Sequence, residues 1–373
     1  MKSPRHRLFL AVIFLEIFFF FPPDFYALAE PIDAGVEEGL SPAAVAQRFL
    51  DAYPDFLVAY DAEKNELLGW DGTRFPVSVS EKSSCQDKAA VPADPRSCCP
   101  PPSPSPQETL RIRYRPIAEH WPTAKDPPLP DEDAGRRRPL ALWAYMYGEP
   151  AAKNADGSWQ TKKAGQRVEL LGCGVAKNLA SVRWKLGGKR GVIKVSRANG
   201  VDKQLAAVVA ELEKISAGAK AQYRHLRGGG RTGLSGFYPR LIRGSDCEIS
   251  PHSFGVAVDI HWRSGLDYWL DSQRGGEYRY RSVMPPEIVA VFERHGFIWG
   301  GKWRHFDGMH FEYRPELLGM TMPPVGRPAD RPSPGKPSVN KPNVGQSSVS
   351  KPGVGKPGAK KPGVSKRGAG RRR

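Results

Sequence analysis

"SPHSFGVAVDIHW", residues 250–262, sets a histidine and an aspartate seven positions apart in a stretch whose apolar residues alternate. Extended from Gly255 onward, it places Val256, Val258, Ile260 and Trp262 on one face and Gly255, Ala257, Asp259 and His261 on the other, because successive side chains of a strand point to opposite sides. The first face suits a core. The second sets an acid among residues too small to cover it, which leaves room above the carboxylate for another body.

"GMHFEY", residues 308–313, repeats the arrangement, with Met309, Phe311 and Tyr313 on one side and His310 and Glu312 on the other. Two such strands in one sheet would bury one face and point Asp259 and His310 from the opposite face. His252, in the loop leading into the first strand, reaches toward the same point. Two imidazoles and one carboxylate make a three-ligand zinc site with its fourth position open, the pattern of catalytic rather than structural zinc. Asp307, three residues before His310, is placed to act as a base beside the metal without binding it, given a turn between them. Glu312 is the rival for that task, although its position two residues past His310 suits it better to orient a ligand. Taken singly, each residue has a plainer reading as a structural histidine or a solvated aspartate. His261, His295 and His305 are read in that plainer way, with His261 the substitute ligand should His252 not reach.

Around this pair of stretches the periodicity predicts helices over "SPAAVAQRFLDAYP", "NGVDKQLAAVVAELEKISAG" and "PPEIVAVFERHG", each with apolar residues at helical spacing and a capping residue or proline at its start. "FLVAYDAEKNELLGW" reads as two strands around a polar turn, and "RVELLGCGV" as a strand. Helices interspersed with short strands and long loops point to an α+β domain, a small antiparallel sheet with flanking helices.

The two ends differ from this pattern. Lys2, Arg5 and Arg7, the apolar run "LFLAVIFLEIFFFF" and the small residues before Glu30 have the three parts of a secretory signal, with cleavage expected after Ala29. The run is short for a membrane span and Glu16 interrupts it, so no stable span is expected. From residue 322 to 373 the chain turns to Lys, Pro, Gly, Ser and Val, with Lys-Pro-x-Val or Lys-Pro-x-Ala beginning at Lys336, Lys341, Lys351, Lys356 and Lys361. That tail has too little to bury to fold and is expected to be disordered. It holds 13 Lys and Arg against a single acid, Asp330, so most of the net charge of +17 resides there and the rest is only mildly basic. In an exported protein such a tail meets anionic envelope polymers, or serves as a solvated spacer; nucleic acid is not an expected partner. Five cysteines suit an oxidising compartment, and their odd number leaves at least one unpaired. The expected divisions are a signal at 1–29, an N-terminal region with a Pro- and Cys-rich linker at 30–135, the metal-binding domain at 136–321 and the tail at 322–373.

Ser250, His252, Gly255, Ala257 and Asp259 fit the pattern S-x-H-x-x-G-x-A-x-D, and "WGGKWRHFDGMHFEY", residues 299–313, supplies W-G-G-x-W followed by D-x-x-H-F-E. In this order and roughly fifty residues apart, the two resemble the zinc peptidases of bacterial cell walls: VanY-like D-alanyl-D-alanine carboxypeptidases and the related L-alanyl-D-glutamate endopeptidases. The resemblance runs from about residue 139 to about residue 320 and is strongest from 236 to 314. It implies a hedgehog/DD-peptidase-like fold, Zn2+ on His252, Asp259 and His310, and Asp307 as the catalytic base, where many carboxypeptidase relatives carry Glu. "SGFYPRLIRGS", residues 235–245, resembles the family's Tyr-x-x-Arg or Tyr-x-Arg segment, whose arginine faces the developing oxyanion or the substrate carboxylate; Arg240 takes that place, with Arg243 behind it. Ser250, Trp299 and Trp303 are expected at the substrate cleft, with core packing an equal alternative for the tryptophans. The implied activity is hydrolysis in the stem peptides of peptidoglycan, at D-Ala-D-Ala or L-Ala-D-Glu, in the periplasm or cell envelope. The alternative is a non-catalytic wall-binding protein that uses the cleft or the basic tail.

Overall fold

A computed structural model of the chain describes residues 40–78, 104–121, 133–165, 167–184, 191–218, 227–228, 234–243, 245, 248–261, 268–274, 277–278, 280 and 284–327. The expected signal, the Lys-Pro repeats and Cys85, Cys98, Cys99 and Cys247 lie outside the described residues; Cys173 is a free thiol.

The described chain begins with α1 (Pro42–Ala52), which starts where the Ser41 side chain accepts a hydrogen bond from the Ala44 amide at 3.2 Å and where Pro42 supplies a ready-made helical φ. Its buried stripe is Val45, Ala46, Phe49 and Ala52. An antiparallel sheet of β1 (Leu57–Asp61), β2 (Glu66–Gly69) and β3 (Arg74–Pro76) follows, then the short α2 (Pro106–Leu110), opened by a reciprocal capping box between Ser105 and Glu108. Next comes α3 (Leu140–Tyr147), a helix the polar-apolar pattern does not announce because most of its residues are apolar; it buries Leu142, Trp143, Met146 and Tyr147. Two hairpins, β4 (Thr161–Ala164) with β5 (Arg167–Leu170) and β6 (Leu179–Trp184) with β7 (Gly191–Ser196), lead to α4 (Val201–Gly218), whose Leu205, Val208, Val209 and Leu212 are buried at the spacing expected.

The remaining elements are β8 (Arg227–Gly228), β9 (Leu234–Ser235), β10 (Ala257–His261), α5 (Trp269–Ser272), the strand pair β11 (Gln273–Arg274) and β12 (Glu277–Tyr278), α6 (Pro286–Arg294), β13 (Phe297–Trp299) and β14 (His310–Tyr313). Five of these strands form the central antiparallel sheet in the order β13-β14-β10-β8, with β9 also paired to β10. Helices with small antiparallel sheets make this an α+β molecule. In register, Val258 faces Phe311 and Asp259 faces His310 across the β10/β14 ladder. The apolar side of that ladder is held from below by α6, whose Phe292 ring stacks on Phe311 with centroids 3.9 Å apart.

One continuous cluster of buried side chains runs from Val45 through Phe56, Trp143, Leu205 and Phe292 to Met322, so residues 40–121 are built into the same core as the rest. Met322 is buried, its amide donates to Asp51 O at 2.8 Å, and Asp55 accepts the amides of Val325 and Gly326. Among the described residues no helix is long and apolar enough to cross a membrane.

Candidate metal centre

His252 stands in a one-turn helix, Pro251–Phe254, that ends at Gly255 with φ +68°. Gly255 suits this turn twice over: an L side chain is strained at positive φ, and a Cβ there would lie 2.8 Å from the Ser196 amide nitrogen. The turn is held from beneath by Phe254, packed edge-on against Trp143 of α3 with centroids 5.3 Å apart. Ser253 is locked to Arg240 twice, its Oγ accepting from the Arg240 amide and donating to the Arg240 carbonyl, both at 3.0 Å.

This frame brings His252 to Asp259 and His310. The candidate ligand atoms of the three lie within 4.8 Å of one another. Nε2 of His252 and Nδ1 of His310 each sit 3.0 Å from Asp259 Oδ1. Their outer nitrogens are already committed. Nδ1–H of His252 donates to the Gly236 carbonyl at 2.7 Å, and Nε2–H of His310 donates to Glu312 Oε2 at 3.2 Å. With the outer protons fixed in this way, the inner nitrogen of each neutral ring presents a lone pair to the same carboxylate oxygen. Three acceptors converging on one point repel unless a proton or a cation lies among them, so this donor set fits a metal. Two imidazoles and a carboxylate suit zinc.

The ionisation of the metal-free groups follows the same logic. Burial holds His252 below the usual imidazole value, although Asp259 pulls the other way. Burial also opposes a charge on His310, yet its bonds to Asp259 and Glu312 and the field of Asp307 outweigh it and lift this imidazole to about 9. For Asp259 the penalty of burial is overcome by the two histidines, which hold its carboxyl well below the ordinary range. Glu312, wholly buried, is likewise kept ionised against burial by Arg138, His310 and Arg314.

Asp307 is the exception. Its backbone is fixed by a hydrogen bond from its amide to Gly300 O at 2.9 Å, and its carbonyl accepts from the His310 amide at 3.1 Å, which is the turn the sequence required. Oδ1 is buried with no hydrogen-bond partner, and burial, aided by Asp259, pushes the carboxyl up to about 6 against the pull of His310, Arg240 and Arg136. Arg240 is half-buried, its guanidinium 6.0 Å from the Tyr238 ring. Its positive field acts on both His252 and Asp307. Arg243 lies over the Tyr268 ring at 4.7 Å, and Tyr268 pairs by backbone with Asp307.

Other expected residues take supporting positions. Ser250 is buried, its amide donating to Arg240 O, so it frames the His252 turn. Trp299 is fully buried, stacked on Trp121 at 4.9 Å with Nε1 donating to Gly308 O, and Trp303 is also buried, its ring 5.7 Å from that of His310. His295 pairs with Glu211 and His305 with Asp133, while the side chain of His261 lies outside the described set. The sequence reading missed Arg138 and Arg314, both of which hold Glu312. No signal near either arginine names that partner.

Residues 243–313 match the family model described as D-alanyl-D-alanine carboxypeptidase. That span contains His252, Asp259, Asp307 and His310 and leaves Arg138, Arg240 and Arg314 outside it. No curated protein and no solved structure matches the chain.

Proposed function

We propose that the protein is a zinc-dependent peptidase that hydrolyses bonds in the stem peptides of peptidoglycan and is exported to the cell envelope. The observation that carries this reading is the pairing of a converging His252, Asp259 and His310 with a buried, unpartnered carboxylate oxygen on Asp307 beside them, inside the stretch that matches a carboxypeptidase family. The signal-like N-terminus supports export.

Zinc, when bound, supplies a Lewis acid that polarises a carbonyl and makes water easier to deprotonate. The chain provides the rest. Asp307, with its carboxyl near 6, is ionised at neutral pH yet basic enough to take a proton from the attacking water and return it to the leaving amine. The Arg240 guanidinium faces the negative charge that develops on the scissile carbonyl oxygen or the carboxylate of a C-terminal substrate residue. His252 and His310 are held in fixed tautomers by Gly236 and Glu312, so neither ring needs to turn as the site fills.

The test is mass analysis of purified wall fragments incubated with the protein, with and without a chelator. Loss of a terminal residue points to a carboxypeptidase and cleavage within the stem to an endopeptidase; no product from the zinc-loaded protein would sink the enzymatic reading. Asp307→Asn is expected to retain zinc and to lose about 10²- to 10⁴-fold in turnover.

A further inference from the structure

Residues 133–138, "DAGRRR", sit far upstream of the matched span, yet they run along the back of the second motif and touch it at almost every step. Asp133 accepts the His305 amide at 3.0 Å and its Nδ1–H at 2.5 Å. The carbonyl of Ala134 accepts from Trp303 Nε1 at 2.6 Å, and that of Gly135 from Arg314 Nη1 at 2.6 Å. Arg136 donates to the His305 carbonyl at 2.8 Å. Arg138 then ends the strap on Glu312: Nε lies 3.0 Å from Oε1 and Nη2 lies 2.8 Å from Oε2.

The last contact has the most direct line to the metal centre. A guanidinium fork bound to both oxygens of a carboxylate fixes the plane of that carboxylate, which a point charge cannot do. With its plane fixed, Glu312 aims Oε2 at Nε2 of His310. A carboxylate at Nε2 keeps the proton there, leaving Nδ1 of His310 unprotonated toward Asp259 when a cation is present. Arg138 also donates from Nη1 to Arg136 O at 3.0 Å, so its fork is itself braced by the strap. Both partners are buried, with Arg138 at 8% and Glu312 at 0% exposure, so solvent does little to loosen the geometry.

We propose that Arg138 is a positioning residue for the metal centre: by clamping the plane of Glu312 it sets the tautomer and the rotation of His310. This rests on the reading of His310 as a metal ligand. It gives the strap a task in function and makes an upstream segment part of the site.

The experiment is a zinc-affinity cycle on the full chain, measured by competition with a chromophoric chelator, using Arg138→Lys, Glu312→Gln and the double variant. Arg138→Lys keeps the charge beside Glu312 and loses only the fork, and near-UV circular dichroism of the metal-free form checks that it folds. It is expected to weaken zinc binding about tenfold, the scale on which partners behind a metal ligand act. In the Glu312→Gln background the same change is expected to cost less than about twofold, because the route to His310 is already cut. An unchanged affinity in a folded Arg138→Lys variant, or an equal loss in the Glu312→Gln background, overturns the positioning role alone. A wild-type chain that takes up no zinc overturns the reading of the site and this role together.

Discussion

The two sides of His310 are built on opposite principles. Behind the ring, opposite charges touch in an unbroken series: Arg138 and Arg314 both hold Glu312, Arg314 also holds Glu316 at 2.5 Å, and Glu316 accepts the Tyr53 hydroxyl at 2.5 Å. That series joins Tyr53, the residue that caps the C-terminal end of α1, to β14. In front, Asp307 keeps a buried oxygen without a partner and a carboxyl pushed up to about 6. Buried polar groups in folded proteins are nearly always satisfied; behind the ring both oxygens of Glu312 obey that rule and only Arg314 Nη2 does not, whereas in front the carboxylate itself breaks it, as groups at functional sites often do.

By this contrast, substitutions behind the ring are expected to cost stability and substitutions in front to cost turnover. The largest effect on stability is expected for Arg314→Met. It strips a fully buried guanidinium from Glu312 and Glu316 and leaves both acids underpaired, which costs about 3–5 kcal/mol in urea unfolding of the metal-free protein. A variant as stable as the wild type would break the comparison outright.

Gly135→Ala comes next. Gly135 has φ +81°, and a Cβ there would lie 2.4 Å from Leu317 Cδ1 and 3.1 Å from Ile298 Cδ1, so strain and overpacking together are expected to cost about 1–3 kcal/mol. Thermal melting would register it, and no shift would mean the strap is not tightly seated.

Asp307→Asn is expected to act in the opposite direction, raising the stability of the metal-free protein at neutral pH by about 1–3 kcal/mol, although it is expected to abolish turnover. Here the sign of the pH dependence sharpens the contrast. A carboxyl that titrates near 6 in the folded chain and at about 3.9 in the unfolded one binds more protons when folded between those values. In chelator, therefore, the wild type should lose stability relative to Asp307→Asn as pH rises from about 4 to 6, with a constant gap above. Parallel stability curves across that window would show that the carboxyl is not held in the way described.

How much of this could be read beforehand depends on whether the signal was local. The faces of β10 and β14 were legible because strand alternation is a period-two rule, and the same rule separated Asp259 from Val258 and His310 from Phe311. The buried stripes of α1, α4 and α6 were legible from helical spacing. The helix α3 was not, because a segment apolar on nearly every side has no periodic contrast. The burial of Trp299 and Trp303 was not legible for a different reason: a tryptophan beside a cleft and one in the core look alike in sequence.

By itself the sequence determined the faces of two strands, the residue types of a candidate metal site and the acid three places before its last histidine, since each is written in spacings of a few residues. Only the tertiary structure decided that Asp259 lies opposite His310, that residues 40–121 share the core, and that Arg138 stands behind Glu312. That last contact closes a span of 174 residues. Contacts at such separation arise when packed elements bring distant segments together, and no local pattern in either segment encodes its partner.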